Sequence, residues 1–173
     1  MKPYIFFTCT LAALVLFSCS PEGGGFKTTE SGLQYRIIKG PGSGPPATTG
    51  ATVKTHRYWY FRDTLRMTDR DTMPHYQALI PGLIFPYDIS EALMQGVREG
   101  DSLVVRLRID SLVAKKLMQK APDRTQPHDA WVIGIKVLKV FPFHPLMSDS
   151  IIRSDQMQEI ARLKAKDTIP ARH

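Results

Sequence analysis

The sequence predicts an α+β domain in which an antiparallel sheet wraps around one short helix. Segments of alternating polar and apolar residues recur between residues 32 and 141, and only one short stretch between them has a helical period. That stretch comes just before the penultimate strand, and long loops separate the other segments. With 173 residues and 43% hydrophobic content, the chain is long enough for one such domain and its core.

Four strands are predicted from side-chain alternation and composition. The first is GLQYRII, residues 32–38, and the second is TVKTHRYWYF, residues 52–61, which is rich in β-branched and aromatic residues. The third is SLVVRLRI, residues 102–109, with apolar side chains on one face and arginines on the other. The last is AWVIGIKVLKVF, residues 130–141, which is apolar on both faces as expected of a central strand.

The single helix of the domain is predicted over residues 89–98. Asp88 is a suitable N-cap, Glu91 three residues later completes a capping box, and Gly100 ends the element. The charged segment 62–76 has no clear period and is expected to be turn and loop.

The N-terminus has the pattern of an export signal. Lys2 is followed by an apolar run over residues 5–17, which is short for a membrane-spanning helix. Residues 16–19, LFSC, resemble a bacterial lipobox, which implies that Cys19 is lipidated and becomes the mature N-terminus. Phe17 departs from the usual lipobox residue at its position, and an ordinary secretory signal with an incidental cysteine is the alternative.

The predicted organisation is therefore a lipoprotein signal peptide over residues 1–19, a flexible tether over 20–31, a folded domain over 32–143 and a polar helical tail over 144–173. We expect the tail helix to be solvated rather than docked, because its apolar stripe is narrow. The lipid would anchor the chain in the bacterial cell envelope. Ser20 after the cysteine favours the outer membrane.

Composition and spacing exclude several function classes. The net charge is +7, but its basic residues are scattered, so the sequence contains no nucleic-acid-binding arm. The five histidines lack metal-ligand spacing, and one of the two cysteines, Cys9, lies inside the expected signal peptide. We therefore predict no metal and no cofactor.

Three segments in order resemble FKBP-type peptidyl-prolyl cis-trans isomerases. They are residues 28–56, beginning TTESGLQYRIIKG, residues 78–107, ALIPGLIFPYDISEALMQGVREGDSLVVRL, and residues 127–140, PHDAWVIGIKVLKV. The resemblance implies an FKBP-like antiparallel sheet around one short helix, with the tail as a C-terminal helical extension. It also implies binding of X-Pro segments in an aromatic pocket, with no metal, cofactor or nucleophile.

Carried over residue by residue, the resemblance gives a pocket whose aromatic positions are largely replaced. Arg57 stands where the family has a Tyr, Met67 where it has a Phe and Leu83 where it has the floor Trp. The backbone N–H that holds the substrate carbonyl falls on Ile80, and no residue is assigned as catalytic. The pocket positions are Arg57, Trp59, Phe61, Met67, Leu79, Ile80, Leu83, Val113 and Ile133.

Two interpretations of this replacement remain open. Trp59 and Phe61, with Phe85 and Tyr87, rebuild an apolar pocket from neighbouring positions, or the scaffold is kept while the isomerase site has eroded. The first gives an isomerase of weak or degenerate activity on proline-containing segments of exported proteins. The second gives a non-catalytic binding or assembly module of the envelope, or a holdase chaperone. In each case the partners are unfolded or proline-containing exported polypeptides and the membrane.

Overall fold

A computed structural model describes residues 25–42, 44–80, 89–126, 128–144 and 148–167. These residues form a seven-stranded antiparallel sheet and three helices. In chain order the elements are β1 Lys27–Thr28, β2 Gln34–Ile38, β3 Thr52–Phe61, β4 Thr64–Thr68, β5 His75–Ala78, α1 Ile89–Leu93, β6 Ser102–Arg108, α2 Ile109–Ala114, β7 Ala130–Phe141 and α3 Ser148–Asp167. The predicted α+β class, with a C-terminal helix after the sheet, is confirmed.

The strand order is β1-β2-β6-β7-β3-β4, and β5 pairs with the first half of β3. β3 and β7 pair along the whole of β3, from Thr52 opposite Phe141 to Phe61 opposite Trp131. Both strands have the predicted bounds, because their β-branched and aromatic residues suit a sheet interior. The two longest strands therefore form the centre that positions the side chains described below.

The core lies between α1 and one face of the sheet. Ala92 and Leu93 of α1 are fully buried, as are Val53 on β3, Val105 on β6 and Ile133 on β7. Burial of each Val, Leu or Ile side chain among them contributes about 1.5 to 3 kcal/mol. This face is called the core face below, and the opposite one the outer face.

The helix is shorter than predicted. α1 ends at Leu93, and a turn rather than helix continues toward Gly96. The Glu91 carboxylate accepts hydrogen bonds from the backbone N–H (3.2 Å) and the hydroxyl of Ser31, so it ties α1 to the segment before β2. Asp88, the predicted cap, lies outside the described residues.

The prediction of loop over residues 62–76 is wrong, because β4 lies within it and β5 begins at His75. Every residue of β4 is exposed, so this edge strand has no buried face to impose polar and apolar alternation. Backbone pairing with β3 holds it in place instead. Residues 27 and 28, which we expected in the tether, pair with β2 as β1.

The tail helix is docked, which contradicts the expectation of a solvated helix. Asp155 on α3 is buried against the outer face of the sheet. Its carboxylate accepts hydrogen bonds from the Lys54 ammonium at 2.7 Å, the Tyr76 hydroxyl at 2.6 Å and the Lys139 ammonium at 3.1 Å. Lys54 also donates to Glu159 at 2.7 Å. These five residues are called the Asp155 cluster.

Ion pairs rather than apolar contacts hold α3 on the sheet, so the narrow apolar stripe of the tail did not predict docking. The apolar stripe leaves Met157 and Ile160 exposed, whereas Asp155 and Glu159 face the sheet. A hydrophobic period registers only apolar contacts, so it does not detect a helix held by ion pairs. In the part of the chain that the structure describes, no helix is long and apolar enough to cross a membrane.

Candidate functional site

An open cavity of about 350 Å³ lies on the core face at the end of the sheet where β4 begins and β6 ends. Six of its seven lining side chains are apolar, and two of these are the only tryptophans of the chain. We call it the tryptophan pocket. Its lining residues are Trp59, Arg66, Met67, Leu107, Leu112, Met118 and Trp131.

The central strands set the floor of this pocket. Trp59 on β3 lies opposite Met67 on β4 and opposite Ile133 on β7. Ile133 is fully buried, so it forms the layer on which the pocket floor rests. Trp131 is two residues before Ile133 and therefore on the same face, and its ring centroid lies 5.0 Å from that of Phe61.

The other wall comes from the chain after β6. Leu107 at the end of β6 pairs with Trp131, and α2 then carries Leu112 over the pocket. The backbone N–H groups of Leu117 and Met118 donate to the Leu112 carbonyl at 2.9 and 3.2 Å. These bonds fold the chain back at the end of α2, which brings the Met118 side chain to the same wall.

Arg57 is turned away from the pocket by a polar relay. Its Nη2 donates to Gln77 Oε1 at 2.7 Å, and Gln77 Nε2 donates to the Ser90 hydroxyl at 2.6 Å. Burial lowers the pKa of the Arg57 guanidinium, and the Asp69 carboxylate opposes this shift. The buried Arg57 Nε has no partner among the described residues.

Asp69 fixes the strand that carries Met67. Its Oδ1 accepts the Arg57 backbone N–H at 2.6 Å and lies 3.1 Å from His56 Nδ1, while His75 Nε2 lies 3.0 Å from Oδ2. The residue directly after β4 is thereby attached to β3. This attachment holds Met67 opposite Trp59.

The other pocket positions expected from the resemblance lie elsewhere. Leu79 is fully buried in the core, and its N–H donates to the Ala51 carbonyl at 2.8 Å. Ile80 is exposed, and its N–H has no hydrogen-bond partner among the described residues. Val113 lies on α2 beside Leu112 but does not line the cavity.

Several expectations fall outside the described residues. Leu83, Phe85 and Tyr87 lie there, as does Cys19, the expected lipidation site. Of the nine predicted pocket positions, the structure brings Trp59 and Met67 together in the tryptophan pocket. Phe61 contacts the pocket only through its ring contact with Trp131.

Four apolar lining residues were not singled out from the sequence. Trp131 could have been found by stepping two residues back along β7 from Ile133, since alternate residues share a face. Leu107 is one of the apolar residues on the inward face of the strand predicted at 102–109, and its place near the end of that strand is the signal for its position in the pocket wall. The positions of Leu112 and Met118 in the pocket depend on α2, and no hydrophobic period in the sequence predicts that helix.

The pocket suits the binding of an apolar group. No acidic side chain and no histidine lines it in the described part of the chain. Within the same residues, no group of three or more His, Cys, Asp or Glu side chains has an arrangement that could hold a metal ion. An occupant would therefore be recognised through its apolar surface and through Arg66, the one charged lining residue.

No protein-family model and no curated protein matches the chain. Solved structures do show similarity. FkpA from Escherichia coli is 21% identical with a TM-score of 0.46, over 68% of this chain and 52% of that one. A peptidyl-prolyl cis-trans isomerase from Pseudomonas syringae pv. tomato is 18% identical with a TM-score of 0.45, over 68% and 82%. AtFKBP13 is 16% identical with a TM-score of 0.45, over 66% and 98%. The chain thus spans about half the length of the Escherichia coli protein.

Proposed function

We propose that the protein is an FKBP-like peptidyl-prolyl isomerase of weak activity that binds proline-containing segments of exported proteins in the tryptophan pocket. The observation that carries this proposal is the cavity itself, with the Trp59 and Trp131 side chains and four aliphatic or thioether side chains around it. Its volume of about 350 Å³ is in the range of small ligand sites. A prolyl ring and one neighbouring side chain are of suitable size and polarity.

The chemistry needs no nucleophile. Rotation about an X-Pro bond is slow because its barrier is about 18 to 20 kcal/mol, which reflects amide conjugation. The twisted amide has lost that conjugation and its carbonyl oxygen is less negative, so an apolar environment disfavours it less than it disfavours the planar forms. The N–H of Ile80, which the resemblance gives as the donor to the substrate backbone, follows β5 beside the start of β3 and does not line the tryptophan pocket, so we do not assign it to a substrate bound there.

Weak activity follows from the side chains that replace the aromatic positions of the family. Met67 is exposed and flexible, and Arg57 is committed to Gln77. Neither supplies a rigid aromatic wall, so the pocket would discriminate less between planar and twisted amides. The proposed location is the cell envelope, with Cys19 lipidated and the domain attached to the outer membrane.

The test is a measurement of prolyl isomerisation by exchange NMR, with the full-length protein in detergent and a tetrapeptide that contains one Leu-Pro bond. We expect a rate above that of buffer. Met67→Asp should remove the increase, because it places a charge at the pocket. Leu65→Asp is the matched control, since Leu65 lies on the same exposed strand but opposite Tyr60 on the outer face.

The second candidate is a non-catalytic binding or chaperone module. It is favoured by the fully buried Ile133 and Leu79, which are core residues here, and by the polar relay that occupies Arg57. In the same experiment this function predicts that the peptide binds while its exchange rate equals that of buffer. A rate above buffer that survives Met67→Asp would contradict the assignment of the site.

A further inference from the structure

Arg66 is the one charged residue that lines the tryptophan pocket. Its side chain is exposed, and no carboxylate of the described residues forms an ion pair with its guanidinium. The nearby Arg62 differs, because it is paired with Asp129 at 2.6 Å. Arg66 therefore has its charge available to whatever occupies the pocket.

A strand irregularity explains why an arginine reaches this wall. On β4, Met67 pairs with Trp59 and Leu65 pairs with Tyr60, so Arg66 is an extra residue without a partner on β3. In a regular antiparallel pair, the residue between Leu65 and Met67 would itself pair with a residue of β3. A bulge of this kind re-aims one side chain and often occurs beside a functional site.

The wall opposite β4 is also basic. Residues 115–124, which contribute Met118 to the pocket, contain Lys115, Lys116, Lys120 and Arg124 but one acidic residue, Asp123. Asp123 is paired with Lys120 at 3.4 Å. The net positive charge of this segment attracts anionic groups toward the pocket mouth.

We propose that the tryptophan pocket selects proline-containing segments in which a Glu or Asp adjoins the proline, with Arg66 as the residue that recognises the carboxylate. The prolyl ring occupies the apolar cavity while the neighbouring carboxylate pairs with the guanidinium at its wall. An acidic substrate thus forms an ion pair with Arg66, the one charged lining residue. An all-apolar segment forms no ion pair with it. This inference rests on the proposed function and names its substrate class.

The two tryptophans give a direct readout, because both line the pocket and the chain has no others. We would titrate the full-length protein in detergent with short peptides and follow tryptophan fluorescence. The peptides carry Glu or Gln on either side of one proline, and a second set has Ala in place of the proline. Glutamine matches glutamate in size, so the comparison isolates charge.

The wild type should bind one of the Glu-Pro or Pro-Glu peptides about two- to fivefold more tightly than its Gln counterpart, the range of an exposed ion pair. Arg66→Gln should remove this preference, and Arg66→Glu should reverse it in favour of the Gln peptide. The matched control is Arg70→Gln, because Arg70 is exposed two residues after β4 and does not line the pocket. The preference should also shrink at about 1 M salt.

The outcomes separate the two proposals. Equal binding of Glu and Gln peptides that contain proline, or a preference that survives Arg66→Gln, overturns the acidic selectivity and leaves the proline function standing. Affinities that do not fall when Ala replaces the proline overturn the proline function instead. Absence of any fluorescence change with every peptide overturns both.

Discussion

The two faces of β3 hold their neighbours in opposite ways. On the core face, Trp59 belongs to an apolar pocket that is open to solvent, and its shape depends on packing. On the outer face, Lys54 belongs to the Asp155 cluster, where buried charges fix α3. The comparison teaches that the docking of α3 should respond to charge and pH, whereas the shape of the tryptophan pocket should respond to the size of its lining side chains. Each prediction below tests this separation.

The largest effect is expected from Lys54→Met. The substitution leaves Asp155 and Glu159 without their shared cation, and breaking a buried ion pair costs about 3 to 5 kcal/mol if the helix stays docked. Because α3 can move into water, we expect it to detach rather than unfold the sheet. Hydrogen exchange should accelerate in residues 148–167 and remain slow in β3 and β7.

The matched control is Lys166→Met, which removes the exposed ion pair between Lys166 and Asp71. Exposed pairs contribute little, so α3 should keep its protection. If both substitutions release the helix equally, the Asp155 cluster is not its main attachment. Isomerisation and peptide binding should be unchanged in both variants, since the pocket lies on the other face.

The second effect is acid release of α3. Burial opposes ionisation of Asp155, but hydrogen bonds from Lys54, Tyr76 and Lys139 outweigh it and lower its pKa to about 2 from an ordinary 3.8. Docking is therefore complete above about pH 4 and weakens as the pH falls toward 2, by about 2 kcal/mol in total. Amide chemical shifts of α3 should follow this transition.

Asp155→Asn is the control for the acid transition, because it cannot titrate and should remove the Asp155 part of this dependence. The part that remains belongs to Glu159, because burial opposes its ionisation but hydrogen bonds from Lys54 and Arg162 outweigh this and lower its pKa. The alkaline side has its own marker. Burial and the hydrogen bond to Asp155 raise the pKa of Tyr76 to about 12 from 10.0. Its contribution is complete below about pH 10 and is lost as the pH rises toward 12. A helix that stays docked at every pH would contradict the cluster as its anchor.

The smallest effect is expected in the pocket. Met67→Phe restores an aromatic ring opposite Trp59, and such ring pairs add about 0.5 to 1.5 kcal/mol. If the ring packs on the twisted amide, kcat/KM should rise by about two- to tenfold. Leu65→Phe adds the same ring on the outer face and should leave the rate unchanged. Equal rates for the two variants would show that the pocket is not the site of isomerisation.

The sequence was sufficient where burial imposes a pattern. β3 and β7 were predicted at their observed bounds from their β-branched and aromatic composition. The inward residues of β6 were identified because a half-buried strand must alternate. β4 was missed because it is exposed on both faces. α3 was found as a helix, but its docking was missed because ion pairs leave no hydrophobic period.

The pocket was predictable only in part, for a related reason. Trp59 and Met67 lie opposite each other across one strand pair, so a register argument reaches both. Leu112 and Met118 enter the pocket from α2 and the turn after it. Their position depends on the backbone hydrogen bonds that Leu117 and Met118 donate to the Leu112 carbonyl. Backbone hydrogen bonds of this kind cannot be predicted from the residue types.

The most direct test of the account is an NMR titration of the two indole N–H groups, assigned with Trp59→Phe and Trp131→Phe variants. The spectrum has two indole resonances because the chain has two tryptophans, and both lie in the proposed site. We predict that both shift and saturate with a Glu-Pro peptide and not with its Glu-Ala counterpart. Resonances that remain in place while the peptide binds would contradict the tryptophan pocket as the prolyl-binding site.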